Sequence, residues 1–344
     1  MNADPTRNPM SRTGDPQPMA AGGNRAVIEA ACTAIAQSHA ATLAIVLETL
    51  GSTYVAPGAI ALFTDAHQTG WLSGGCLEPE IARRAGQAAT NASIEWMEVD
   101  TREDEALFGG SALGCRGRLR LALLPLRAMH GWSALAADWL ARRGPMEFAL
   151  IADGEVRCRV GEQSASWEVP SGTRAWQADP GSSSAWSATI AAPPSVTIFG
   201  AGPEAPILLP LLRSMGWMTS TVERRERWLA TAGLGDRLLR ESPAGAMRDD
   251  QIAQPFAALV MHHNFELDLE ALLALAESPP PFIGLLGPRR RREDLFRLLP
   301  DSARETLAPR LHSPVGIDLG GRGPEAIALS IAAQLQSKWH GLLA

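Results

Sequence analysis

Two glycine-flanked thiols are the residues of this chain best suited to chemistry. Ser73-Gly74-Gly75-Cys76-Leu77-Glu78 sets two glycines and a thiol directly ahead of a helical pattern running from Pro79 to about Ala89. Free N–H groups and the dipole at a helix start favour the thiolate, which acts as a nucleophile or as a ligand for a soft atom. A second thiol, in Gly114-Cys115-Arg116-Gly117, has a guanidinium beside it that can hold an anion. The two loops are expected to form one site, with Cys76 and Cys115 as reactive groups and Gly74, Gly75, Glu78 and Arg116 as ligand contacts. The competing reading is that each cysteine is a small buried hydrophobe beside glycines needed for a turn. Cys32, on an apolar helix face, and Cys158, in a strand-like run, read as core or incidental positions.

A second constellation lies further along. Ser195-Val196-Thr197-Ile198-Phe199 is a short buried strand running into Gly200-Ala201-Gly202-Pro203-Glu204-Ala205 and then a helix over Pro206 to Met215. Strand, glycine turn and helix in this order open a Rossmann unit: the first glycine permits the reversal, and the second lets backbone N–H groups approach a pyrophosphate. Glu223, 21 residues after Gly202, stands where an acid usually holds a ribose hydroxyl, whereas Arg224 and Arg225 beside it suit a phosphate-bearing ligand. A nicotinamide dinucleotide, NAD(P), or another nucleotide is therefore a candidate ligand of this half, although fold alone does not imply ligand. His262, His263 and Asn264 follow the strand Ala257 to Met261 at its carboxyl end, where open α/β sheets place ligand chemistry. His262 is the candidate acid–base residue, and Asp268, six residues on, either orients it or caps the next helix. After the strand Phe282 to Leu286, Gly287 opens a helix whose Arg289 is expected to face an anion, with the following arginines on a solvated face.

Alternating elements position these groups. A helix from Asn24 to about His39, a buried strand Thr42–Glu48, a hairpin of Ala59–Thr64 and Thr69–Ser73, the Pro79 helix, strands Ser93–Val99 and Leu119–Leu126, and a helix Trp132–Arg142 make an α/β module. Strand-like segments continue to Val169. The later alternation of strand and helix, closing with Pro324–Trp339, predicts a doubly wound parallel sheet. The expected organisation is a tail over 1–24, an α/β domain over 25–169, a linker over 170–194 and a Rossmann-like domain over 195–344.

Composition bounds the partners. The 344 residues are 46% apolar, enough for two cores. With Lys+Arg 31 against Asp+Glu 37 the net charge is −6, so neither nucleic acid nor an anionic membrane is an expected partner. The four cysteines form no CxxC pair, which argues against a structural zinc site or a disulfide framework and for reduced thiols in the cytoplasm. The first 24 residues carry four prolines and no apolar core, and read as a disordered tail instead of a signal peptide. No run approaches the roughly 18 apolar residues of a membrane span. Ten tryptophans are scattered too widely to define a stacking platform.

Taken together the motifs resemble the xanthine dehydrogenase accessory protein family, XdhC/CoxI, over nearly the whole chain after the tail. Gly51-Ser52, Pro57-Gly58-Ala59, the Ser73–Glu78 block and Gly114-Cys115 match its N-terminal domain. Ile198–Gly202, the His262 segment, Phe282–Gly287, Pro314–Gly320 and Pro324–Ile331 match its Rossmann domain. The resemblance implies a maturation factor, more a cofactor chaperone than a catalyst with its own turnover. Such a protein binds the molybdenum cofactor (molybdopterin), assists exchange of an oxo for a sulfido ligand with a cysteine desulfurase, and delivers the cofactor to a xanthine dehydrogenase-type apoenzyme. Cys76 and Cys115 would contact molybdenum or its sulfur. Whether the chain forms a homodimer stays open. The chain departs from the family pattern at Arg116, Glu223, Asn264 and Pro288, where glycine, aspartate, aspartate and serine are common. The rival reading is an NAD(P)-dependent oxidoreductase or a dinucleotide-sensing module built on the Rossmann half.

Overall fold

The computed structural model describes residues 22–100, 117–173, 176, 185–249, 252 and 254–343. Helix α1 (Gly23–Ala36) leads into β1 (Ala41–Gly51), β2 (Ile60–Thr64) and β3 (Gln68–Thr69). Then follow α2 (Glu78–Asn91), β4 (Glu95–Asp100), β5 (Gly117–Pro125) and α3 (Trp132–Leu140). The five strands form an antiparallel sheet in the order β3-β2-β1-β5-β4. Strand β1 is apolar at every position from Leu43 to Leu47 because both of its faces are covered. Leu43, Ile45 and Leu47 share a core with Val27 and Ile28 of α1 and Trp132 and Trp139 of α3. Ala44 and Val46 face the other way, against Ile81, Ala85 and Ala88 of α2. The hairpin's second arm is shorter than expected. The Leu72 and Ser73 amides donate to the Glu78 carboxylate, so they are lost to strand pairing.

A second antiparallel sheet, in the order β8-β7-β6-β9, packs on the first core: β6 (Met146–Ile151), β7 (Glu155–Val160), β8 (Gln163–Glu168) and β9 (Ala185–Ile190). Strand β9 corrects the expected linker over 170–194, because it pairs along its whole length with β6, Ile190 against Met146 and Ala185 against Ile151. Its alternation of buried Trp186, Ala188 and Ile190 with exposed neighbours is the period of a half-buried strand, hidden in the sequence by the Ser, Gly and Pro before it. Upstream, the Thr173 hydroxyl accepts the Trp96 amide at 2.8 Å. Trp96, Trp176 and Trp186, scattered in sequence, meet with ring centroids 4.9–5.5 Å apart.

The remaining residues form a six-stranded, all-parallel sheet in the order β12-β11-β10-β13-β14-β15. Its elements are β10 (Ser195–Phe199), α4 (Ala205–Ser214), β11 (Met218–Val222), α5 (Leu229–Ala232), β12 (Arg237–Leu239), α6 (Pro243–Ala246) and β13 (Ala257–Val260). They continue with α7 (Phe265–Glu277), β14 (Phe282–Leu285), α8 (Arg289–Leu298), α9 (Asp301–Leu307), β15 (Leu311–His312) and α10 (Pro324–Leu343). Helices α4 and α10 cover one face, and α7, α8 and α9 the other. This is the doubly wound sheet expected, with its topological switch between β10 and β13. No helix among the described residues is long and apolar enough to cross a membrane.

The two halves are joined at the amino-terminal ends of the parallel strands. Arg25 of α1 is buried there, donating to Asp236 and the Trp217 carbonyl across the junction and to Glu29 on its own helix. Arg142, after α3, reaches the Gln254 carbonyl at 3.2 Å.

Candidate functional site

The loop bearing Cys76 is fastened from within. The Glu78 carboxylate, buried at the first residue of α2, accepts from the Leu72 and Ser73 amides at 3.2 and 2.8 Å and from the Ser73 hydroxyl. The Ser73 oxygen in turn accepts from the Gly75 and Leu77 amides at 3.2 and 3.1 Å and from the Cys76 thiol at 3.7 Å. Glu78, a candidate ligand contact on sequence grounds, thus directs its carboxylate inward and sets the shape of the loop. Gly75 has φ +100°, a conformation side chains resist. At Gly74 a Cβ would meet no described atom within 4 Å, so space lies open above it. The Gly74 and Cys76 amides donate to no described residue.

The Cys76 thiol is exposed beside a cleft lined by Tyr54, Leu72, Leu77, Val99 and Leu119. Tyr54, which lines the cleft, and Trp71, whose ring would stand 3.8 Å from a Cβ on Gly75, are large side chains 63% and 41% exposed. Sequence reasoning overlooked both, along with Ser73. A serine directly ahead of a glycine pair, where its hydroxyl can accept backbone amides two to four residues on, was the available signal for Ser73. The other described thiols differ. Burial pushes Cys158 up to about 12 and raises Cys32, which leaves both as unreactive thiols. Cys115 and Arg116 lie outside the described residues, so the expected pairing of the two thiol loops does too. Val99 and Gly117, close to the two ends of that segment, border the Cys76 cleft.

The second group of candidates gathers at the carboxyl ends of β10, β11, β13 and β14. Glu223, after β11, is 1% exposed and accepts from the Ala201 amide at 3.0 Å and from the Arg225 amide, Nε and second guanidinium nitrogen at 2.8, 2.9 and 2.6 Å. Burial pushes its pKa up, but the Arg225 and backbone bonds outweigh burial and hold it at about 2. Arg225 also donates to the His262 carbonyl at 2.8 Å, tying the β11 end to the β13 end.

His262 is 6% exposed, and its Nδ1 and backbone amide both lie 3.1 Å from Asp268 Oδ1. Asp268 therefore orients the histidine. Asn264 caps α7, its side-chain oxygen accepting from the Leu267 amide at 3.0 Å. With the aspartate as acceptor, Nδ1 carries the proton, and Nε2 bonds to no described residue. Arg291 donates to the other Asp268 oxygen at 2.5 Å and lies over the Phe265 ring, 5.9 Å from its centroid. The inward-facing arginine of α8 is thus Arg291, whereas Arg289 is exposed at the helix start. Gly287, with φ +131°, makes this possible: a Cβ there would come within 2.6 Å of Arg291 Cδ.

Glu204 and His263, not anticipated as a pair, meet at 3.0 Å above the glycine turn. The hydrogen bond to Glu204 raises the His263 pKa against the opposing effect of burial. Among the described residues no group of three or more His, Cys, Asp or Glu is placed to hold a metal ion.

An open thiol loop on an antiparallel α/β module, joined to a doubly wound parallel domain with a histidine–carboxylate end, defines a two-module protein. Two family models cover these modules. Residues 34–97 match the XdhC and CoxI family, and residues 196–335 match the XdhC Rossmann domain. The chain belongs to the XdhC and CoxI family. Among similar proteins, Bacillus subtilis (strain 168) has one named as a probable xanthine dehydrogenase subunit, 24% identical over 317 residues, spanning 86% of this chain and 92% of that one. A solved structure described as a xanthine dehydrogenase from Bacillus halodurans superposes with a TM-score of 0.74 at 25% identity, over 91% of this chain and 96% of that one. The uncharacterized protein YqeB of Escherichia coli K12 is 41% identical over 70 residues, 20% of this chain and 13% of its own length.

Proposed function

We propose that this chain is a maturation factor for a xanthine dehydrogenase-type enzyme. In this reading it binds the molybdenum cofactor as cargo, presents it to a cysteine desulfurase that exchanges an oxo for a sulfido ligand, and delivers it to the apoenzyme. The observation that carries the reading is the Cys76 loop, a solvent-facing thiol held in a fixed frame by Ser73 and Glu78. The donor set suits the cargo. A thiolate is a ligand for soft atoms. The Gly74 and Cys76 amides are free to donate to an anionic, phosphate-bearing pterin. Tyr54 and Trp71 offer aromatic faces to its planar ring. The residues of the chain bind, orient and shield, and the exchange itself is the work of the desulfurase. The names of the relatives from the two Bacillus species support a client of the xanthine dehydrogenase type.

The test is purification from a molybdenum-supplied host, with bound pterin measured after oxidation to its fluorescent derivative. Wild type is expected to carry pterin, and Cys76→Ser to carry at least about tenfold less, each decade being about 1.4 kcal/mol of lost binding. Wild type without pterin, or a Cys76→Ser, Cys115→Ser double variant with full loading, would overturn the reading.

A further inference from the structure

The Gly200-x-Gly202 turn has the sequence of a pyrophosphate seat, and such seats work by aiming free backbone N–H groups at the phosphates. Here the turn's donors other than the Gly202 amide, which bonds to no described residue, are engaged or lacking. The Ala201 amide is bonded to Glu223 Oε2 at 3.0 Å, position 203 is proline and has no N–H, and the Ala205 amide closes the turn on the Gly202 carbonyl at 3.1 Å. The Glu204 carboxylate folds back toward its own amide. It lies at the head of α4, 4% exposed, with Oε2 only 2.9 Å from where a Cβ on Gly202 would stand. His263 Nε2 pairs with that same oxygen at 3.0 Å, and its backbone sits at φ +55°, in the left-handed region.

Both glycines have a purpose inside the protein. A Cβ on Gly200 would come within 2.6 Å of His262 Cα, and one on Gly202 within 2.8 Å of the His263 ring. The motif is thus accounted for by close approach of the β13 end to the β10 end, without a bound nucleotide.

We propose that Glu204 is a built-in anion occupying the phosphate seat of this Rossmann turn, a specificity-determining residue that closes the domain to dinucleotides and other diphosphate-bearing nucleotides. A ligand phosphate would meet a buried carboxylate of like charge where it needs a donor. Removing that carboxylate leaves the His263 ring and the Glu204 position's own amide free to face an anion.

The test is titration of the full chain with NADH, followed by its fluorescence, with ADP-ribose as competitor. Wild type is expected to show no saturable binding below about 1 mM. Glu204→Ser, which removes the charge and suits a helix start, is expected to bind at least about tenfold more tightly, with ADP-ribose displacing the NADH. Glu204→Gln, close in size to the native side chain, serves the same purpose should the serine variant fail to fold. His263→Asn keeps the carboxylate and is expected to gain nothing. Micromolar binding by wild type, no gain in a folded Glu204 variant, or a gain in His263→Asn alone would each overturn the proposal.

Discussion

Replacing Glu223 by glutamine removes one charge and almost no volume from the centre of the Rossmann end. The native carboxylate accepts four hydrogen bonds, three of them from Arg225, in a site that is 1% exposed. Its pKa of about 2, against an ordinary 4.5, means that the ionised form is favoured by about 3 kcal/mol relative to the unfolded chain. Because the folded pKa is depressed, this stability is fully present above the unfolded value and is lost as pH falls from about 5 toward 2. Glu223→Gln is therefore expected to cost about 3 kcal/mol at pH 7, and the gap to wild type should narrow to about 1 kcal/mol near pH 3. Urea unfolding followed by tryptophan fluorescence measures both, since Trp217 is buried in the same domain. A cost below about 1 kcal/mol at pH 7, or a gap that stays constant on acidification, would refute the assignment of Glu223 as the electrostatic tie of the glycine turn.

Two further outcomes are expected. Arg25→Ala should cost about 3 kcal/mol, because it strips a buried guanidinium from Asp236 and the Trp217 carbonyl, and the effect should be non-additive with Asp236→Asn in a double-mutant cycle; additivity would show that the pair does not couple the two halves. Glu78→Gln should loosen the Ser73 frame and change the alkylation rate of Cys76 by about tenfold at constant pH, a factor equal to about 1.4 kcal/mol; an unchanged rate would show that the loop holds its shape without the carboxylate.

Much of the architecture was legible because burial writes periodicity into sequence. The unbroken run Leu43–Leu47 signalled a strand covered on both faces, and Ser195–Phe199 with its glycine turn signalled the first strand of a parallel sheet. Strand β9 was missed because its alternation follows a Ser/Gly/Pro-rich stretch, and only pairing with β6 reveals it. The three-residue β12 and two-residue β15 are too short to carry a pattern at all. At the sites, Cys76 was legible from its glycines, and the link between His262 and Asp268 from a six-residue spacing at a strand end. Arg291 was misassigned to a solvated face because four successive arginines look alike until the helix phase and the space at Gly287 select one.

Sequence alone determined the two modules, their order, the glycine-flanked thiol ahead of a helix and the doubly wound sheet, since each is written in local pattern over a few consecutive residues. Tertiary structure decided what the polar groups are for. Glu78, read from sequence as a ligand contact, holds the frame of a loop, Glu223 bonds the Ala201 amide, and Glu204 and His263, 59 residues apart, meet over Gly202. A carboxylate's role depends on which donors reach it, and those donors come from strand ends that only the folded sheet brings together.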